Sequence, residues 1–159
     1  MRGDTQVIAR LNQALQEELT AINQYFVHAE MLNNWGYHKL GNYIRKQSID
    51  EMKHAERLLE RILFLDGSPT MQPLALSIGA DVRSQLRNDL GLELNAVKAY
   101  NESITISMNA GDNTSRELFE RLLHDEEGHV DFLEAQLTLI EQVGYERYLS
   151  QHMGGADHE

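Results

Sequence analysis

The chain has 159 residues, 42% of them hydrophobic and 25% charged, with a formal net charge of −11. This describes one soluble globular domain with room for a real core, and the negative charge argues against nucleic acid as the main partner while favouring small cations. With no cysteine, disulfides and thiolate ligands are excluded, so any bound metal must be held by oxygen and nitrogen.

No apolar run approaches the roughly 18 residues of a membrane span. Residues 1–16 are charged and amphipathic and lack the apolar centre of a secretory signal, so a cytoplasmic location is expected.

The first helix is expected over residues 5–34. Ile8, Leu11, Leu15, Glu18, Ile22, Tyr25, Ala29 and Leu32 advance in steps of three and four, the seam pattern of a helical bundle. Asp4 or Thr5 is placed to cap its start, and Asn33, Asn34 and Gly36 to end it. The second helix is expected over 38–65, with Ile44, Glu51, His54, Leu58, Ile62 and Leu65 on its seam. Asp66, Gly67, Ser68 and Pro69 stop it, and Pro73 follows. These are the only 2 prolines, so the long irregular connection belongs here, as in a bundle with one crossover between its second and third helices.

The third helix is expected over 81–110, with Leu86, Leu90, Glu93, Val97, Tyr100 and Ile104 inward. Gly111, Asp112 and Asn113 make the turn. Thr114 or Ser115 is placed to cap the fourth helix, over 115–143, with Glu117 completing a capping box from Thr114. Its inward positions are Phe119, Leu122, Glu126, His129, Leu133, Leu137 and Ile140. After Gly144 a short fifth helix is expected over 145–152, and residues 153–159 read as a frayed tail. The expected fold is all-α: a four-helix bundle with one long crossover and a short fifth helix, a single domain over 1–159.

The seams also carry a repeat. The offset that takes Glu51-x-x-His54 to Glu126-x-x-His129 also takes Glu18 to Glu93, Leu15 to Leu90, Ala21 to Ala96, Tyr25 to Tyr100 and Asp50 to Asp125. A single Glu-x-x-His is usually a solvated helix face, but this recurrence reads as duplication of a helical hairpin.

All six ligand-type residues, Glu18, Glu51, His54, Glu93, Glu126 and His129, sit on apolar stripes. Residues three apart on a helix differ by about 60° in direction, so each Glu-x-x-His points both side chains the same way. Burying four unpaired carboxylates is costly, and no basic residue occupies a nearby seam position. Two divalent cations would balance the four charges, with the imidazoles neutral; carboxyls kept protonated are the alternative for a metal-free state. An oxygen and nitrogen set suits iron, manganese or zinc. The pseudo-symmetry suggests Glu51 and Glu126 as bridges, Glu18 and Glu93 as terminal ligands, and one histidine per metal. Tyr25 shares the face of Glu18 two turns on. Asp50 and Asp125 either orient ligands or lie on a solvated face, and Glu17 and Glu127 are expected to face elsewhere.

The repeat fails at Met52, which corresponds to Glu127. Helical geometry turns Met52 away from Glu51 and His54, out of the bundle. Spacing leaves two readings open: packing against another subunit or partial exposure, and a thioether ligand to haem at an interface.

The stretches Gln47-Ser48-Ile49-Asp50-Glu51-Met52-Lys53-His54-Ala55-Glu56 and Asp125-Glu126-Glu127-Gly128-His129 resemble bacterioferritin, a family of ferritin-like proteins, and the resemblance covers nearly the whole sequence. It implies a ferroxidase site at Glu18, Glu51, His54, Glu93, Glu126 and His129, with Tyr25 as an aromatic residue used in radical or electron transfer. It implies two iron ions per subunit, Met52 as axial ligand of a b-type haem shared by two subunits, and a hollow 24-subunit homo-oligomeric shell. It further implies iron storage through oxidation of Fe(II) by O2 or H2O2, and electron delivery by a small ferredoxin for iron release. Neither nucleic acid nor membrane is an expected partner. The chain departs from the pattern at Lys46, where some members carry an inner-surface His, and at Phe132, where some carry Trp. A peroxide-handling di-iron or di-manganese redox enzyme without a storage role is the alternative activity.

Overall fold

A computed structural model describes residues 1–154. It contains α1 (Thr5–Asn34), α2 (His38–Phe64), α3 (Val82–Asn109), α4 (Asn113–Val143) and α5 (Tyr145–Ser150). The four long helices make the expected bundle: α1 packs on α2 and α3, and α4 on α3 and α5. Among the described residues no helix is long and apolar enough to cross a membrane. Of the expected tail, Met153 and Gly154 are described and exposed; residues 155–159 lie outside the described residues.

The helix ends follow local chemistry. Asp4 caps α1, accepting from the backbone N–H of Gln6 and Val7, and Asp81 forms a capping box with Ser84 at the start of α3. The fourth helix begins earlier than expected and its cap is Asp112, not Thr114 or Ser115. The Asp112 carboxylate accepts from the Ser115 N–H at 3.0 Å and the Ser115 hydroxyl at 2.7 Å, and Arg61 Nη2 approaches it at 2.8 Å. A carboxylate held by a guanidinium from α2 outcompetes a neutral hydroxyl for the cap, which leaves Thr114 inside the first turn. Gly144, at φ 90° and ψ 147°, turns the chain from α4 into α5, in a region open essentially to glycine alone.

The core forms two apolar blocks. Leu11, Leu15, Leu58, Ile62, Phe119 and Leu122 fill one end of the bundle; Ala29, Leu32, Ile44, Leu86, Leu133 and Ile140 fill the other. The six ligand-type residues lie between them in sequence on every long helix. Each block buries side chains worth about 1.5–3 kcal/mol apiece, so the helices are held on both sides of the polar middle.

The crossover, residues 65–81, is fastened to one face of α1. Asn12 accepts from the Thr70 N–H at 2.7 Å, Thr20 from Leu74 at 2.8 Å, Gln24 from Ser77 at 2.9 Å, and His28 Nε2 from Gly79 at 3.0 Å. Four polar side chains at multiples of four residues form a stripe beside the apolar seam. Gly79 is required here: an added Cβ would lie 2.4 Å from the Gln85 nitrogen.

Candidate metal centre

Glu18 from α1, Glu51 and His54 from α2, Glu93 from α3, and Glu126 and His129 from α4 all turn into the middle of the bundle. The four carboxylates are at most 2% exposed. The donor atoms form two groups, Glu18–Glu51–His54–Glu126 and Glu51–Glu93–Glu126–His129, within each of which all lie within 4.8 Å of one another. Glu51 and Glu126 belong to both groups. His54 Nδ1 lies 3.0 Å from Glu126 Oε1 and 3.5 Å from Glu18 Oε2. Its counterpart His129 Nδ1 lies 2.9 Å from Glu51 Oε1 and 3.4 Å from Glu93 Oε1.

The residues present fit two metal ions. Glu18 Oε2, both oxygens of Glu51, Glu93 Oε2 and Glu126 Oε2 are buried without a hydrogen bond, whereas buried polar groups normally have partners. The ion-pair partners of these carboxylates are His54 and His129, so lysine and arginine do not neutralise them. Inward, unpaired carboxylate oxygens beside two imidazoles make a hard, sulfur-free donor set suited to divalent iron, manganese or zinc.

Protons stand in for charge balance when no metal is bound. Burial, with the neighbouring carboxylates, pushes Glu51 up to about 8 and Glu126 well above the usual carboxylate range. For Glu18 burial acts upward too, but its polar neighbours Glu51, His54 and Tyr100 outweigh it and hold the group at about 2. Burial alone would lower both histidines, yet the surrounding carboxylates raise them far above the ordinary imidazole range. The cluster thus holds its protons tightly until a cation displaces them.

A further set of side chains orients these groups. The Tyr25 hydroxyl donates to Glu93 Oε1, and the Tyr100 hydroxyl donates to Glu18 Oε1 at 2.5 Å. The repeat pairs Tyr25 with Tyr100 in sequence, but periodicity by itself gave Tyr100 only a seam position. Asp125 Oδ2 lies 3.0 Å from His54 Nε2 and fixes that ring, although half its side chain is in solvent. Glu17 belongs to neither donor group; it is partly buried, and burial raises its carboxyl to about 7.

Openings flank the centre on two sides. A cleft of about 410 Å³ between α2 and α4 reaches His54 and His129 past Asp50, Lys53, Arg57 and Asp125. A second cavity, about 280 Å³, lies under crossover residues Leu74, Ala75 and Ser77 and reaches Glu18, Glu51, Glu93 and Glu126, with Glu17 on its wall.

Away from the centre, Met52 is 57% exposed and Ile49, one turn earlier, 46% exposed. Lys46 is exposed as well. Phe132 stacks on Tyr43 across α2 and α4, with ring centroids 3.9 Å apart.

Residues 8–143 match the ferritin family described as Ferritin-like domain. The chain is 47% identical to a bacterioferritin of Brucella melitensis biotype 1, over 99% of this chain and 98% of that protein. It is 44% identical to a bacterioferritin of Mycolicibacterium paratuberculosis, over 95% and 96%, and 47% identical to one of Rhodobacter capsulatus, over 91% and 90%. Identity at this level along almost the full length of both chains, together with the family match over residues 8–143, places this chain in the bacterioferritin family of ferritin-like proteins.

Proposed function

We propose that this protein stores iron and oxidises it on the way in: a ferroxidase that takes two Fe(II) ions as substrate between its four helices. The observation that carries this reading is the pair of donor groups sharing Glu51 and Glu126, with buried carboxylate oxygens left without hydrogen bonds. Membership of the bacterioferritin family supports the storage role.

In this reading Glu51 and Glu126 span both ions, Glu18 and Glu93 each hold one, and His54 and His129 complete one sphere apiece. Side-by-side placement lets the oxidant take two electrons in one encounter. With O2, two Fe(II) lose one electron each and O2 takes two electrons and two protons to leave as H2O2. With H2O2 as oxidant, the same two electrons and two protons give two waters. Anionic oxygen ligands favour Fe(III) over Fe(II), because hard donors bind the higher charge better. The product then passes to a ferric store enclosed by a shell of 24 copies, in the cytoplasm.

Met52 would hold the iron of a b-type haem through its sulfur, with a second copy of the chain supplying the matching thioether. An exposed thioether beside an exposed isoleucine fits a flat apolar ring between two subunits. Haem bound there would supply a route for electrons, from a small ferredoxin, into the stored ferric iron during release.

The test is an anaerobic Fe(II) titration followed by measured additions of O2 or H2O2. Fast oxidation of two irons per subunit by the parent, lost in Glu18→Ala, is the expected result. A Glu18→Ala chain that oxidises iron as fast as the parent overturns the site. Particle size separates storage from a non-storage redox enzyme, since a large shell is expected for the first and a monomer or dimer for the second.

A further inference from the structure

Tyr25 and Tyr100 occupy equivalent places in the repeat and make reciprocal bonds across the α1–α3 contact. Tyr25 on α1 donates to Glu93 on α3, and Tyr100 on α3 donates to Glu18 on α1. Both phenols are 1% exposed. Each bond occupies Oε1 of its carboxylate and leaves Oε2 buried without a hydrogen bond. The ring of Tyr100 packs against Phe119 with centroids 5.9 Å apart, and phenylalanine would serve that packing equally well. The hydroxyl adds a desolvation cost that only its bond to Glu18 offsets.

We propose that Tyr100 is a positioning residue dedicated to the metal held by Glu18 and His54, as Tyr25 is to the metal held by Glu93 and His129. A free carboxylate exchanges among one-oxygen, two-oxygen and bridging modes. Pinning Oε1 fixes the plane of Glu18 and presents Oε2 alone, so the residue acts as a one-oxygen terminal ligand and a coordination position stays open for the oxidant. The bridging role falls to Glu51 and Glu126, the two carboxylates that belong to both donor groups. Hydroxyl assignment to one metal each also predicts that the two halves can be weakened separately.

This assignment rests on the two-metal reading, and the experiment separates the two claims. Co(II) is titrated into the iron-free protein and followed by its visible absorption and by calorimetry, so that no turnover is involved. The parent is expected to bind two Co(II) per subunit; a parent that binds none overturns the metal centre and this assignment with it. Tyr100→Phe keeps the ring and removes the hydroxyl. One Co(II) should then bind about 10–100-fold more weakly, the usual range when an outer hydrogen-bonding partner of a ligand is lost, with the second unchanged.

Removing one histidine identifies which half is affected. In a His129→Ala background, which retains the Glu18–His54 half, Tyr100→Phe should weaken the remaining Co(II). In a His54→Ala background it should have no effect, while Tyr25→Phe should. Equal weakening of both metals by Tyr100→Phe, or parent-like binding of both, overturns the assignment. Helicity and melting temperature of the iron-free variants serve as the folding control, and Tyr100→Met, which fills the site without a donor, must reproduce the pattern of Tyr100→Phe for the assignment to stand.

Discussion

His28 Nδ1 lies 2.9 Å from Asp89 Oδ1, with the two side chains 0% and 1% exposed. The Gly79 N–H donates to the other ring nitrogen, so Nδ1 carries the proton and donates to Asp89. Gln24 Nε2 donates to the same carboxylate oxygen at 2.9 Å. Burial raises the Asp89 carboxyl despite these bonds. The pair joins α1, α3 and the crossover in one buried knot.

His28→Phe keeps the volume and removes both bonds, leaving the Gly79 N–H and the Asp89 carboxylate underpaired. A loss of about 1–3 kcal/mol in unfolding free energy is expected, measured by denaturant titration. Amide exchange should accelerate at Ser77 and Gly79. Unchanged protection at those two amides would show that the crossover is held by something else.

The metal-free bundle should weaken as pH rises. Glu51 is raised from 4.5 to about 8, so its contribution is complete below the ordinary carboxylate value and disappears as pH climbs through about 8. Glu126, His54 and His129 are also raised and act in the same direction. Glu18, held at about 2, acts oppositely and matters only in acid. Each unit of displacement is worth about 1.4 kcal/mol at most. Glu51→Gln should therefore melt higher than the parent at pH 9 and by a smaller margin at pH 5, both metal-free. Zn(II) should remove the alkaline loss in the parent and release protons as it binds. A margin independent of pH would refute the protonation of Glu51.

Met52→Leu replaces an exposed thioether with an apolar side chain of similar size, so the helix is expected to form unchanged. The purified variant should lack the haem absorption expected of the parent. Haem retained at parent level would move the axial ligand elsewhere.

Gly91 lies on α3 with nothing within 4 Å of an added Cβ. Gly91→Ala should raise unfolding free energy by about 0.5–1 kcal/mol through reduced chain entropy alone. A lower melting temperature would mean that another copy of the chain approaches this face. Gly128 is equally open within the chain and lines the cleft beside His129.

Much of this was legible in one dimension. Helical periodicity put Glu18, Glu51, His54, Glu93, Glu126 and His129 on inward stripes, and the repeat showed that they form two equivalent sets. The same geometry turned Met52 outward, because a helix assigns direction from position alone. Local chemistry also marked the Pro69–Pro73 region as the crossover.

What the sequence could not decide depends on which helices become neighbours. Tyr100 serves Glu18 only because α3 packs on α1; Asp125 meets His54 only because α4 faces α2. Asp112 displaces Thr114 as a cap because Arg61 arrives from α2, and Glu17 is partly buried on the wall of the cavity that the crossover roofs. Thr20, Gln24 and His28 acquire their role only because the crossover lays its backbone N–H groups along them. Periodicity fixes the direction of a side chain relative to its own helix, whereas hydrogen bonds, shared ligands and proton affinities require distances between helices, and those exist only once the bundle is packed.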